Sequence, residues 1–123
     1  VRSIVGNFLE HSRIFFFLND GEEELYMGSA DWMPRNLDRR VEILFPVLDD
    51  TLKEKVKHIL DVELADNTKA HVLKPDGEYE KIDRRGKVLV NSQKQFCEEA
   101  VAAVPKTDHV YRERVFVPAE PAE

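Results

Sequence analysis

The chain has 123 residues, 42% hydrophobic and 34% charged, and a single core in a chain of this size removes about two-thirds of the unfolded surface from water. One domain, or one large piece of a domain, is the upper bound. Lysine plus arginine numbers 18 against 24 aspartate plus glutamate, a net charge of −6, so the whole-molecule field repels nucleic acid, anionic lipid and other polyanions, and any anion site must be local.

No apolar run approaches the roughly 18 residues that cross a bilayer, and Val1 to Asn7 lacks the long apolar stretch of a signal peptide, so neither membrane insertion nor secretion is expected. The chain starts at Val1 without methionine, already inside an apolar pattern, and reads as a piece of something longer. Ile14 to Leu18 is an unbroken apolar run ending at Asn19-Asp20-Gly21, the pattern of a strand covered on both faces and stopped by a turn that tolerates positive φ. Leu25 to Ala30 is a second apolar stretch, and the Asp-Gly turn predicts a hairpin between the two. Val41 to Phe45 is a third strand, closed by Pro46.

From Leu48 the period changes to three and four residues, with Leu48, Leu52, Val56, Ile59, Leu60 and Leu64 on one face of a predicted helix. Thr51 and Glu54 have capping-box spacing at its start, and Asp66-Asn67 marks its exit. Thr68 to Leu73, a Pro75-Asp76-Gly77 turn and Glu78 to Ile82 predict a second strand pair, followed by a basic loop, Arg84 to Lys87. Asn91-Ser92, with Gln95 three residues after Ser92, opens a second helix whose apolar face carries Phe96, Cys97, Ala100, Val101 and Val104. Cys97 is a lone cysteine, consistent with a reducing compartment, and is expected to be buried in that helix. Residues 105–123 read as a tail: Val110 to Val117 as an edge strand able to pair with another subunit, then a disordered Pro-Ala-Glu end.

Three groups carry chemistry. Glu10-His11-Ser12-Arg13 places an imidazole and a guanidinium two apart where a strand begins, which suits phosphate, although taken alone the motif reads better as a surface ion pair with Glu10. In Gly28-Ser29-Ala30-Asp31-Trp32 the glycine permits close approach, Ser29 can donate to an anion, and Asp31 can orient an imidazole or an arginine; the plainer reading is an aspartate capping the next segment. Arg35, Arg39 and Arg40 are concentrated in one short stretch of an acidic chain, either a solvated loop or an electropositive lining. Of the other histidines, His58 falls in the first helix, His71 in a strand and His109 in the tail, none with a partner at a telling spacing. Tyr26 and Trp32 are read as core, with stacking on adenine the minor reading.

In this order, Phe8-Leu9-Glu10-His11-Ser12-Arg13 followed by Gly28-Ser29-Ala30-Asp31-Trp32-Met33-Pro34-Arg35-Asn36-Leu37-Asp38-Arg39-Arg40-Val41-Glu42 closely resembles the C-terminal domain of bacterial polyphosphate kinases. The resemblance covers about residues 1–104, which it makes the C-terminal part of a catalytic domain, and implies an α/β fold: a phospholipase-D-like mixed sheet flanked by helices, incomplete within this chain. The wider phospholipase D superfamily has lysine where Arg13 stands and asparagine where Asp31 stands, departures that fit the kinases and weaken a phosphodiesterase reading.

The resemblance further implies reversible transfer of the ATP terminal phosphate to an upstream histidine outside this chain and then to inorganic polyphosphate. His11 matches the family's second active-site histidine, which contacts the nucleotide phosphates and assists proton transfer; Arg13 is expected to bind phosphate beside it. Ser29, Asp31, Arg35, Arg39 and Arg40 are expected to support these two or to line a channel. Magnesium is expected with ligands upstream, so no metal site falls here. The implied partners are ATP or ADP, polyphosphate, upstream domains of the same polypeptide and other copies of the parent, in the cytoplasm or at the membrane surface. The alternatives are a phosphodiesterase and a non-catalytic module that holds polyanions or subunits.

Overall fold

Asp20 and Gly21 both take positive φ, 50° and 90°, the conformation a two-residue hairpin turn demands and one that Asp-Gly adopts at low cost. In the computed structural model, which describes residues 1–104, this turn joins β2 (Ile14–Asn19) to β3 (Glu22–Gly28) in antiparallel register, Ile14 opposite Met27 and Asn19 opposite Glu22. A third strand, β4 (Leu44–Pro46), pairs with the far edge of β3, so the order is β2-β3-β4. It is shorter than the predicted Val41 to Phe45, because the two residues before it are committed to side-chain bonds described below.

The second sheet is also antiparallel. β1 (Arg2–Ile4) pairs with β5 (Ala70–Leu73), which pairs with β6 (Tyr79–Lys81) across a turn held by positive φ at Gly77 and by Asp76 Oδ1 accepting from the Glu78 amide. The expected α/β class is what the structure has; its described strands form two small antiparallel sheets. β1 escaped the sequence reading because its three residues show too little alternation to register as a strand.

Among the described residues three helices connect and flank the sheets: α1 (Pro34–Arg39), α2 (Asp50–Ala65) and α3 (Ser92–Ala103). α1 was expected as loop; Pro34 in its first turn supplies the helical φ that starts it. α2 is capped by Asp49, whose carboxylate accepts from the Leu52 amide, so the Thr51 and Glu54 capping box does not form. Leu48 therefore lies outside the helix. Asn91 caps α3 by accepting from the Lys94 amide, close to the predicted start.

The junction of α2 with β5 and α3 is the tightest part of the molecule. Asp66 is fully buried; its Oδ1 accepts from the amides of Thr68, Lys69 and Ala70, and its Oδ2 accepts from both the amide and the hydroxyl of Ser92, at 2.8–3.2 Å. Burial pushes this carboxyl up, but the bonds from Ser92, Lys69 and Thr68 outweigh it and hold the pKa below the ordinary value. Asn67 extends the knot by donating to the Val88 carbonyl and accepting from the Val90 amide. The buried apolar set among the described residues is small: Leu25, Val47, Val62 and Ala70.

Several apolar residues lie open. β2 was expected to be covered on both faces, but it is an edge strand, and Phe17 and Leu18 are 54% and 65% exposed because no described element covers them. Leu52 and Leu64 on α2 are likewise exposed, as are Val101 and Val104 at the end of α3. Cys97 is exposed rather than buried, since α3 turns only Ser92 and Gln93 fully inward. Trp32 is exposed and stacks on Phe15, with ring centroids 6.1 Å apart, instead of joining the core. The expected edge strand from Val110 to Val117, the tail after it and His109 lie outside the described residues.

Candidate functional site

The site is built where β2, β3 and the segment before β4 converge. Gly28 at the end of β3 is where a Cβ would stand 3.3 Å from the Leu44 side chain and 3.4 Å from the Ile43 carbonyl, so the close approach this glycine permits is that of the chain entering β4. The Gly28 amide donates to the Arg13 carbonyl and the Ser29 amide to the Ile43 carbonyl, which extends the pairing on both sides and brings three sequence-distant segments side by side.

Arg13 turns across this junction. Its Nε donates to Asp31 Oδ1 at 2.8 Å, its Nη2 approaches the same oxygen at 2.7 Å, and its Nη1 donates to the His11 carbonyl at 2.9 Å. Asp31 thus orients an arginine; it caps no helix, since α1 is capped by Met33 without a side-chain bond. Glu10 does not pair with His11 or Arg13, so the surface ion pair suggested by the motif alone does not form. His11 is exposed on the strap between β1 and β2, its backbone held by Arg13.

From Asp31 a chain of polar contacts runs through α1. The Asn36 amide, on a residue only 3% exposed, donates to the Asp31 carbonyl at 3.2 Å, and its Oδ1 accepts from Arg40 Nη1 at 3.5 Å. Arg40 also lies 3.9 Å from Glu42, which accepts from the Ser29 hydroxyl, and Ser29 in turn accepts from the Ile43 amide. Arg13, Asp31, Asn36, Arg40, Glu42 and Ser29 therefore form one continuous network. The Ser29 hydroxyl, expected to donate to an anion, donates here to the carboxylate of Glu42. Arg35 and Arg39, one helical turn apart on α1, are exposed and make no ion pair among the described residues.

On the other side of His11 lies a cavity of about 430 Å³ lined by Arg2, Phe8, Leu9, Glu10, Ser12 and Glu63, with neighbouring α2 residues. Glu63 is pushed up to about 7, first by burial and then by its hydrogen bond to Glu10 and by that carboxylate's charge. The Glu10 and Glu63 side chains thereby join the strap to α2. Glu10 also accepts from Gln93 Nε2 at 2.6 Å. Elsewhere, His58 Nε2 sits 3.0 Å from Glu99, an α2 to α3 contact invisible to sequence spacing, and His71 Nδ1 lies 3.2 Å from the Lys69 carbonyl.

Sequence reasoning missed Asn36, Glu42, Glu63, Asp66 and Gln93. Glu42 lay inside the motif that was read, but its role depends on β4 folding back beside Ser29. Glu63 and Gln93 lie far along the chain from His11, and nothing in helical periodicity marks a polar residue that faces a strap from another element.

The site thus sets the end of an antiparallel hairpin against a short arginine-bearing helix, beside the strap that carries His11. The sequence model of the family described as "Polyphosphate kinase C-terminal domain 2" matches residues 1–93, and the chain belongs to that family. Among relatives, it is 48% identical over 109 residues to the polyphosphate kinase of Lactiplantibacillus plantarum, covering 89% of this chain and 15% of that protein. With the polyphosphate kinase of Pseudomonas aeruginosa it shares 51% identity over 105 residues, 85% of this chain and 15% of that protein. The fold matches the crystal structure of the polyphosphate kinase of Porphyromonas gingivalis with a TM-score of 0.75 at 37% identity, covering 82% of this chain and 16% of that one. The chain thus spans about 15% of the length of the curated relatives it matches.

Proposed function

We propose that residues 1–104 are the C-terminal part of the catalytic domain of an ATP:polyphosphate phosphotransferase, and that His11 and Arg13 act on the phosphates during transfer. The observation that supports this most is the fixed placement of Arg13. Asp31 and the His11 carbonyl hold the guanidinium in place, two residues from the exposed His11, in a segment matched by the polyphosphate kinase family.

Phosphoryl transfer asks a protein mainly to position the groups in line and to neutralise the charge on the transferring oxygens. An upstream histidine, implied by the family resemblance, attacks the γ-phosphorus as the bond to the bridging oxygen of ADP breaks. His11 donates a hydrogen bond or a proton to that oxygen, and Arg13, already oriented, meets the charge without reorganising. In the second half of the cycle the phosphoryl group passes to the terminal oxygen of polyphosphate. Arg35 and Arg39, on one face of α1 and without an ion pair among the described residues, suit the polyanion path. Among the described residues no three His, Cys, Asp or Glu side chains converge to hold a metal ion; the magnesium ligands that the resemblance implies would lie upstream of this chain. The other proposed partners are upstream domains of the same polypeptide and further copies of the parent, and the proposed setting is the cytoplasm or the membrane surface; among the described residues no helix is long and apolar enough to cross a membrane.

The test uses the full-length enzyme carrying this segment. It should form polyphosphate from ATP and leave a model phosphodiester intact. Diester hydrolysis that depends on His11 would favour the phosphodiesterase reading instead, and phosphate binding with no rate defect in His11→Ala would favour a passive binding module.

A further inference from the structure

We infer that Gln93, on the first turn of α3, is a positioning residue that fixes the His11 strap through its carboxamide; this rests on the role of His11 proposed above. Gln93 is 8% exposed and lies more than 80 positions from the residues it binds. Its Oε1 accepts from the amides of Asn7 and Phe8 at 2.8 and 3.0 Å. Its Nε2 donates to the Phe8 carbonyl at 2.8 Å and to Glu10 Oε1 at 2.6 Å. All four bonds fall on the residues that lead directly into His11, and they use both acceptor and donor ends of one amide. Gly6 completes the fit, because a Cβ there would overlap the carboxamide.

The other end of this link is rigid. Ser92, next in the chain, donates twice to the buried Asp66, so α3 is locked to the α2 to β5 junction at the residue before Gln93. A side chain held on a secondary-structure element by a buried carboxylate positions a loop more accurately than the loop's own backbone does. The cavity on the same side of the strap adds Glu63, hydrogen-bonded to Glu10, and Arg2, which donates to the Leu64 carbonyl. Arg2 and Glu63 thus line the cavity that Glu10 borders, while Lys69 and Lys94 line the one that Gln93 itself borders.

The experiment compares Gln93→Leu and Gln93→Glu with wild type in the full-length enzyme, reading kcat, the KM for ATP and thermal unfolding, with His11→Ala alongside. Gln93→Leu has close to the same volume but no bonds, and is expected to lower kcat about tenfold with KM within about threefold of wild type. Gln93→Glu keeps both acceptor bonds, yet an ionised carboxylate cannot donate to Phe8 or Glu10 and a protonated one can. Its kcat relative to wild type should therefore climb as pH is lowered from about 8 to about 6, where burial and the adjoining Glu10 carboxylate favour protonation of the introduced acid against the opposing charges of Lys69 and Lys94. A flat ratio overturns the proposal, and so does loss of kcat, ATP affinity and the unfolding transition together, which would make Gln93 a fold residue only. Full activity in His11→Ala overturns the His11 reading and this inference with it; a defective His11→Ala beside fully active Gln93 variants overturns only the positioning role.

Discussion

Arg13 is the residue whose chemistry depends most on its neighbour. With Asp31 gripping Nε and Nη2, the guanidinium is pre-oriented yet partly neutralised, a compromise that suits an anion bound and released in each cycle. Arg13→Ala is expected to raise the KM for ATP or polyphosphate about tenfold with a smaller change in kcat, measured by steady-state kinetics. Asp31→Ala leaves the charge but frees its direction, and a kcat falling more than KM rises would show that orientation matters. Glu63 gives a prediction about stability. Its carboxyl is raised to about 7 in the folded state, so the folded protein holds more protons than the unfolded chain between the ordinary glutamate value and about 7. Stability contributed by the protonated Glu63 carboxyl is therefore full at lower pH and lost as pH rises through that window. Glu63→Gln should flatten this decline and melt higher than wild type above pH 7; an unchanged pH profile of melting would contradict the Glu10 to Glu63 pairing. The His11 and Arg13 motif and the Gly28 to Arg40 stretch were legible because they are contiguous in sequence. Their partners were not, because Asn36, Glu42 and Glu63 acquire meaning only from the backbone that faces them.

At the scale of elements, the hairpin was readable from Asp20-Gly21 and its flanking apolar runs, since that turn chemistry dictates the register. The two long helices were readable from their period and polar starts. The caps were less so: Asp49 rather than Thr51 closes α2, because several polar residues in a row satisfy the same preference and only the backbone trajectory chooses among them. The largest element-level surprise is Asp66, taken from sequence as a helix exit and found to tie α2, β5 and α3 together with five hydrogen bonds. Asp66→Ala leaves several buried donors unsatisfied and should cost about 3 kcal/mol or more, read by denaturant unfolding. Because Ser92 precedes Gln93, the same change should loosen the His11 strap. Asp49→Ala, on an exposed cap, should cost only about 1 kcal/mol.

At the scale of the molecule, the net charge of −6 opposes the proposed polyanionic substrate, and Arg13 with the arginines of α1 is the proposed local exception. Such exposed attraction is screened by salt, so the KM for polyphosphate should rise with ionic strength over about 0.05 to 0.5 M, whereas an unchanged KM would argue against a charge-lined path. The open faces of Phe17, Leu18, Leu52 and Leu64 were unreadable in advance, because apolar patterning says that a face is to be covered and not which part of a polypeptide covers it. The upstream remainder of the parent enzyme is the proposed cover, and with it the histidine that takes the phosphoryl group. The most direct test of the account is the single-turnover rate of γ-phosphoryl transfer from ATP in the full-length enzyme, wild type against a folded His11→Ala. A rate lower by about tenfold or more is predicted; an unchanged rate would remove His11 from the transfer step and contradict the central claim.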